Sequence, residues 1–261
     1  MPDLPDYEKT HLSKLMVLRS ADVDDSNPAD FTVDIGDGSD FSHVKRIVLR
    51  SMFFTNLEYN INSKNNSMSI TTDEAGFEGP FVVTVPVGQY NITTLLAAMK
   101  VALDATAGAV TFSSVAPVAP TYLLSVSISA GTFVFNETAN SIYDTIGFVS
   151  FPQSALATQT TGAVVQLHGL TRIYVKSNEL ANANCHDSNE NQPNTIAVIP
   201  VTAVFGSQNH YETNDDELTS INFEQKRGKG LKRIDIQLHD QNDLPLELNG
   251  AHVELVFKVY F

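Results

Sequence analysis

Cys185, His186 and Asp187 are adjacent in the chain, and their side chains are the groups found in thiol nucleophiles and in metal sites. In known enzymes the catalytic Cys and His come from distant positions and meet only in the folded protein. Adjacent side chains in an extended loop point apart instead. The three residues lie within the polar stretch 182–194, so a surface loop is favoured over a catalytic or metal site.

The other potential ligands do not have the spacing of a metal or phosphate site. The seven histidines form no HxxxH pattern, and a single cysteine allows neither a CxxC pair nor an internal disulfide. The acidic segments 34–40 and 214–217 lack the closing Glu of a twelve-residue calcium loop. Gly228 and Gly230 lack the strand and the GK[ST] ending of a phosphate loop. We therefore expect no catalytic residue, metal or cofactor, and no enzyme.

A short basic run is the strongest candidate for an interaction segment. The chain has 16 Lys and Arg against 30 Asp and Glu, a net charge of −14, which disfavours coating nucleic acid or an anionic membrane. Five of the cations nevertheless lie close together, at Lys226, Arg227, Lys229, Lys232 and Arg233. The run is either a solvated loop or a segment that docks on an acidic surface of a neighbouring subunit.

Alternation of apolar and polar residues, typical of half-buried strands, recurs along the chain. We predict strands at residues 31–35, 44–54, 68–72, 81–87, 122–129, 132–135, 170–177, 195–205, 234–238 and 253–261. The pair 122–129 and 132–135 brackets Ala130-Gly131 and predicts a hairpin. Apolar spacing of three and four predicts a helix over 92–105 and a shorter one over 141–146. This succession indicates an all-β sandwich or barrel.

Composition and the chain ends limit the class of protein. With 261 residues, of which 43% are hydrophobic, the chain has room for one large β domain or two smaller ones. Residues 1–29 predict an arm that is either disordered or ordered on a neighbouring subunit. The sequence shows no signal peptide and no apolar run of about 18 residues, so we expect a soluble protein made inside a cell.

Several short motifs occur in an order that resembles a known family. They are Tyr59-Asn-Ile-Asn62 with Asn65-Asn66, Val87-Gly-Gln-Tyr90, Ile142-Tyr-Asp-Thr-Ile-Gly-Phe148, Ile173-Tyr-Val-Lys-Ser-Asn-Glu-Leu180, Ile199-Pro-Val201, Ile234-Asp-Ile236 and Leu246-Glu-Leu-Asn-Gly250. The ordered set, over residues 28–261, resembles the penton (minor capsid) proteins of virophages and related polinton-like viruses. Residues before Pro28 match nothing in the family, and no large insertion is visible that would form a separate spike domain.

The resemblance implies a fold and a structural role. The fold is a single jelly-roll β-sandwich of two antiparallel sheets at residues 30–261, with one or two short helices in connections. Five copies would form a homopentamer that closes each icosahedral vertex, in contact with a double jelly-roll major capsid protein and with other minor capsid proteins. No specific nucleic acid binding is expected. The protein would be made and assembled inside the host cell and reside at the vertex of the virion.

The resemblance also suggests where contacts lie. The basic run at 226–233 would meet an acidic surface of a neighbour or face the packaged genome. The asparagine-rich loops at 56–66 and 182–194 are candidates for lateral or outer contacts. The arm at 1–29 would reach inward or sideways to the major capsid protein.

Two other functions fit an all-β chain. One is a carbohydrate-binding or receptor-binding β-sandwich module, which usually requires exposed aromatic residues for stacking. The chain has no Trp, although sites built on its eight Tyr remain open. The other is a β-sandwich hydrolase, for which no constellation of residues gives support.

The final two strands test the jelly-roll prediction. The connection between Leu238 and Val253 is long for a simple hairpin. Successive strands of a jelly roll cross between its two sheets, which accounts for a longer connection. We therefore predict that strands 234–238 and 253–261 lie in opposite sheets, and direct hydrogen-bonded pairing between them would contradict the jelly roll.

Overall fold

The computed structural model describes residues 13–23, 27–35, 41, 44–73, 79–106, 112–149, 154–180, 194–213, 220–222 and 231–261. The chain divides into two compact units. Unit A comprises Met1–Glu58 and Leu170–Phe261, and unit B comprises Tyr59–Gly169. Unit B is therefore inserted in the sequence of unit A, which the sequence interpretation did not recognise. The predicted limits of an arm at 1–29 and a domain at 30–261 stay predictions.

Strands are the main regular elements of both units. Those of unit A are β1 (Ser13–Arg19), β2 (Asp30–Asp34), β3 (Arg46–Thr55), β10 (Arg172–Lys176), β11 (Thr195–Pro200), β12 (Gln208–Glu212), β13 (Ser220–Asn222), β14 (Arg233–His239) and β15 (Val253–Tyr260). Those of unit B are β4 (Ser67–Thr72), β5 (Phe81–Thr84), β6 (Phe112–Val118), β7 (Leu123–Ile128), β8 (Phe133–Asn136) and β9 (Thr158–Val164), with helices α1 (Ile92–Thr106) and α2 (Tyr143–Ile146). Among the described residues, no helix is long and apolar enough to cross a membrane.

The strand order of unit A is that of a jelly roll. Its first sheet has the order β1-β15-β3-β12, with β13 continuing the β12 edge of β3, and its second sheet has the order β11-β10-β14-β2. All of these pairings are antiparallel. If β12 and β13 are counted as one strand, unit A has eight strands. Numbered along the chain, these have the order 1-8-3-6 in the first sheet and 5-4-7-2 in the second. Two interleaved Greek keys produce this order, so the predicted all-β jelly roll is confirmed.

The last two strands lie in opposite sheets, as predicted from their long connection. Strand β14 pairs with β10 and β2 in the second sheet, whereas β15 pairs with β1 and β3 in the first. Ile236 and Leu238 from one sheet and Leu255 and Phe257 from the other contribute to the same core. Burial of one face of each strand explains why the alternation is so regular here.

Strand β1 makes part of the predicted arm a member of the first sheet. It pairs with β15 along its whole length, from Ser13 to Arg19. Met16 and Leu18 are buried in the core of unit A, whereas Leu15 and Val17, which alternate with them, are exposed. The strand is held by packing as well as by its hydrogen bonds.

Unit B has its own core between two three-stranded sheets. These have the orders β5-β4-β8 and β6-β7-β9. Helix α1 buries Leu95, Met99 and Leu103 in this core, as its apolar spacing predicts. The helix is preceded by Asn91, whose Oδ1 accepts a 3.0 Å hydrogen bond from the Thr94 amide in the manner of an N-cap.

The predicted hairpin of residues 122–129 and 132–135 is wrong. Strand β7 pairs with β6 and β9, whereas β8 pairs with β4 in the other sheet. The turn between them is held by Asp73, whose carboxylate accepts hydrogen bonds of 2.6 Å from the Thr132 amide and 2.8 Å from its hydroxyl. Phe133 and Phe135 are buried in the core from the β4 side, so the chain crosses between sheets instead of folding back.

Candidate interaction surfaces

The structure describes the end of the predicted basic run. Lys226, Arg227 and Lys229 lie outside the described residues, whereas Lys232 and Arg233 lead into β14. The Lys232 carbonyl accepts a 2.8 Å hydrogen bond from the Ile35 amide, and Arg233 Nε lies 3.5 Å from Glu179 Oε1. The Arg233 side chain is 63% exposed, so its end remains accessible to a partner. Docking by this run stays a prediction.

Asp235, on the same strand, anchors a tight turn after β10. Its carboxylate accepts hydrogen bonds from Ser177 Oγ at 2.9 Å, from the Asn178 amide and side chain at 2.8 Å each, and from the Glu179 amide at 2.9 Å. Burial acts to raise the pKa of Asp235, but the hydrogen bonds from Asn178, Glu179 and Ser177 outweigh it and hold that pKa below its ordinary value. An ionised Asp235 therefore fixes the turn.

The anchored turn forms the base of the predicted contact loop 182–194. Asn194 follows the undescribed residues 181–193, and its carbonyl accepts a 3.0 Å hydrogen bond from the Ser177 amide. Its side chain also donates a 2.6 Å hydrogen bond to Asn178 Oδ1. Cys185, His186 and Asp187 lie outside the described residues. Asn194, which ends the predicted loop 182–194, and Arg233, which ends the basic run 226–233, thus both contact the turn after β10.

A lysine, an aspartate and a histidine meet near the other end of β14. The Lys176 ammonium pairs with the Asp243 carboxylate, and His239 Nδ1 lies 2.8 Å from Asp243 Oδ1. The cluster fixes the turn after β14, in which Asp240 Oδ1 accepts a 3.0 Å hydrogen bond from the Leu244 amide. Its role is to hold this loop. Within the described ranges, no group of three or more His, Cys, Asp and Glu is arranged to hold a metal ion.

The asparagines of loop 56–66 face inward and bind the backbone. Asn60 Oδ1 accepts a 2.9 Å hydrogen bond from the Tyr90 amide, and its Nδ2 donates one of 2.7 Å to the Tyr90 carbonyl. Asn65 Nδ2 donates a 2.9 Å hydrogen bond to the Asn60 carbonyl. The Tyr59–Asn62 and Val87–Tyr90 motifs are therefore joined inside unit B. These side chains act as an internal scaffold, and a lateral contact by this loop stays a prediction.

A cleft of 210 Å³ opens on unit A beside the end of β1. It is lined by Arg19, Ala21, Phe53, Phe54, Thr55, Gln208, His252, Val253 and Glu254. Arg19 Nε donates a 2.6 Å hydrogen bond to Glu254, and the Phe53 ring stacks on His210 at 4.2 Å between centroids. These pairings join neighbouring strands across the first sheet, so the charged groups of the cleft already serve the fold.

Comparisons with solved structures include two matches that span nearly the whole chain. The chain is similar to the crystal structure of the mavirus penton protein, with 12% identity, a TM-score of 0.46 and coverage of 96% of this chain and 99% of that one. It is also similar to a chain of the Sputnik virophage cryo-EM structure, with 11% identity, a TM-score of 0.38 and coverage of 95% and 97%. No family model and no curated protein matches. The jelly-roll assignment of unit A rests on its own strand order.

Proposed function

We propose that the chain is a structural capsid protein that forms the pentameric vertex of an icosahedral virion. The strand order of unit A carries the proposal, because the eight-stranded jelly roll is a fold of viral capsid and lectin domains. The ordered sequence motifs, which resemble those of virophage penton proteins, support the capsid alternative over the lectin one. The chain would act without catalysis, by its shape and its contacts.

The proposed mechanism is geometric. A ring of five copies requires a heterologous interface, in which one patch of a subunit meets a different patch of the next subunit. A jelly roll suits this task because its two sheets share one packed core and present loops at both ends. The turn held by Asp235 and the exposed Arg233 side chain lie together at one such end. We assign this end to contacts with the double jelly-roll major capsid protein and other minor capsid proteins.

Mass photometry of the purified chain tests the pentamer. A species at five times the chain mass of 28.5 kDa supports it, and the same species is expected at the vertices when capsids are assembled with the major capsid protein. Electron microscopy of such capsids with empty vertices, despite soluble and folded chain, would reject the proposed role.

Replacement of the basic run tests its part in assembly. In a variant with Lys226, Arg227, Lys229, Lys232 and Arg233 changed to Ser, we expect fewer occupied vertices, because the run would dock on acidic neighbours. Arg172→Ser, which removes an exposed cation elsewhere on the second sheet, is the control. Equal occupancy in wild type and variant would show that the run is a solvated loop.

A further inference from the structure

Unit B is poor in charge compared with the rest of the chain. The chain has 16 Lys and Arg and 30 Asp and Glu, yet residues 105–136 and 145–171 contain none of them. Those that unit B does contain are Lys64, Asp73, Glu74, Glu78, Lys100, Asp104, Glu137 and Asp144. Charged residues are depleted at the centre of protein interfaces, whereas a free surface of an acidic protein carries its charge.

The outer face of the β6-β7-β9 sheet is formed by residues of these uncharged stretches. Leu124 and Val126 point into the core of unit B, so Leu123, Ser125 and Ser127 point outward. Ser125 lies opposite Thr160 in the register, and Ser127 Oγ lies 2.9 Å from Thr158 Oγ1. At one end of the face, the register aligns three apolar residues, Val118, Leu123 and Val164, with Leu123 in the middle. Val118 is 44% exposed and Val164 is 47% exposed.

A second uncharged surface of unit B lies on helix α1. Leu95, Met99 and Leu103 face the core, which leaves Thr93, Ala97 and Val101, four residues apart, on the exposed side. Val101 is 69% exposed and Ile92 is 37% exposed. The ion pair of Lys100 and Asp104, 2.6 Å apart, joins two charges of opposite sign on the same helix.

We propose that the outer face of the β6-β7-β9 sheet of one copy packs against the exposed side of α1 in unit B of a second copy. The inference deepens the proposed vertex role and rests on it, because a fivefold ring joins two different patches. The sheet face and the helix side belong to different elements that pack on the same core and both point away from it, so they are two patches that can meet head to tail.

The charge of the chain identifies the partner as a second copy. Two copies that each carry −14 repel each other wherever acidic surfaces meet, and an uncharged contact avoids this cost. A basic protein or an anionic polymer would gain nothing from a face without charge. Serine and threonine hydroxyls both donate and accept hydrogen bonds, so this face pairs readily with another uncharged surface.

Single charges introduced into each patch test the contact. Thr160→Glu on β9 and Val101→Glu on α1 place a carboxylate in the proposed interface, where burial of an unpaired charge is costly. Val82→Glu is the matched control, because Val82 is 62% exposed on an edge strand of the other sheet of unit B. We expect T160E and V101E to raise the apparent Kd of the oligomer at least about tenfold in sedimentation velocity, and V82E to leave it unchanged.

Hydroxyl-radical footprinting of the wild-type chain gives a readout that does not depend on variants. Labelling of Val101 and Val164 is expected to fall with protein concentration, and labelling of Val82 to stay constant. The contact would be overturned if T160E and V101E form oligomers as stable as wild type, if only one of these two variants dissociates, or if V82E dissociates as well. A wild-type chain that is monomeric at every concentration would also overturn it. Vertex occupancy is a separate measurement, so the proposed capsid-vertex role is tested independently of this contact.

Discussion

Ser177 Oγ donates a 2.9 Å hydrogen bond to Asp235 Oδ1 and joins the end of β10 to β14 across 58 positions of sequence. The same carboxylate accepts the amides of Asn178 and Glu179. Asp235→Ala leaves these donors without their acceptor, so we expect the free energy of unfolding to fall by about 1–3 kcal/mol. Gln237→Ala, on the same face of β14, should stay within about 0.5 kcal/mol. Urea unfolding followed by circular dichroism checks both, and equal effects would contradict the anchoring role.

The pH dependence of stability gives a second test of Asp235. Its pKa is lowered in the fold because its hydrogen bonds outweigh the opposing effect of burial, whereas an unfolded Asp titrates near about 3.9. The folded state therefore binds fewer protons there, and the stabilisation is present above about pH 4 and lost as the pH falls through the folded pKa. The difference in unfolding free energy between wild type and Asp235→Asn should be constant above about pH 5 and shrink below pH 4. A difference that stays constant down to about pH 2 would contradict this reading.

The sequence predicted strands well where one face packs into a core of apolar side chains. It failed at β9, whose buried residues include Gln159 and Thr161. Gln159 Nε2 donates a 2.8 Å hydrogen bond to the Phe133 carbonyl, and Thr161 Oγ1 accepts one of 3.0 Å from the Leu124 amide. Because these polar groups find partners inside the unit, the strand has the composition of a loop, and the hydrophobic pattern does not reveal it.

Long-range contacts were equally invisible to local patterns. Asp235 alternates with apolar neighbours as any outward residue of a strand does, and nothing in its surroundings indicates the turn that it binds. Strand β6 contains Pro117, and proline disfavours a strand except at the edge of a sheet, where β6 lies. Because neither β6 nor β9 was predicted, the second sheet of unit B and the inserted unit were not recognised from the sequence.

Two leucines on opposite faces of β1 can test whether this segment is a stable strand of the sheet or a loose arm. Leu18 is 2% exposed in the core of unit A, whereas Leu15 on the same strand is 70% exposed. We expect Leu18→Ala to cost about 2–5 kcal/mol of unfolding free energy through the cavity that it leaves, and Leu15→Ala to change it by less than about 0.5 kcal/mol. Thermal unfolding of the two variants measures the contrast. Similar small effects would mean that β1 is not a stable part of the sheet.

Two glycines in left-handed conformations differ in their surroundings. Gly147 has φ +89°, and a Cβ there would lie 2.0 Å from the Ala163 carbonyl oxygen, whereas Gly250 has φ +83° and no neighbour within 4 Å. Gly250→Ala should cost about 1–2 kcal/mol, the penalty of the left-handed backbone alone. Gly147→Ala adds a clash with the backbone of β9 and should cost several kcal/mol more, visible as a lower Tm and a lower soluble yield. A Tm of G147A equal to that of G250A would exclude the close approach.

Tyr143, in the motif Ile142–Phe148, makes a buried polar contact with β4. Its hydroxyl donates a 2.9 Å hydrogen bond to the Ser69 carbonyl and accepts one of 2.8 Å from the Ser69 amide. Tyr143→Phe leaves both backbone groups of β4 without this partner, so we expect a loss of about 1–3 kcal/mol. Tyr122→Phe removes a hydroxyl from a side chain that is 68% exposed and should change stability by less than about 0.5 kcal/mol. Thermal unfolding of both variants measures the difference.

The loss of stability at alkaline pH gives a second test of Tyr143, which does not depend on packing alone. Burial raises its pKa to about 12, although the hydrogen bond to Ser69 opposes the rise. An unfolded Tyr ionises near about 10, so the stabilisation from Tyr143 is complete below pH 10 and is lost as the pH rises towards 12. Wild type should therefore lose stability faster than Tyr143→Phe between about pH 10 and 12. Parallel curves for the two proteins in that range would show that Tyr143 ionises as readily in the fold as in the unfolded chain.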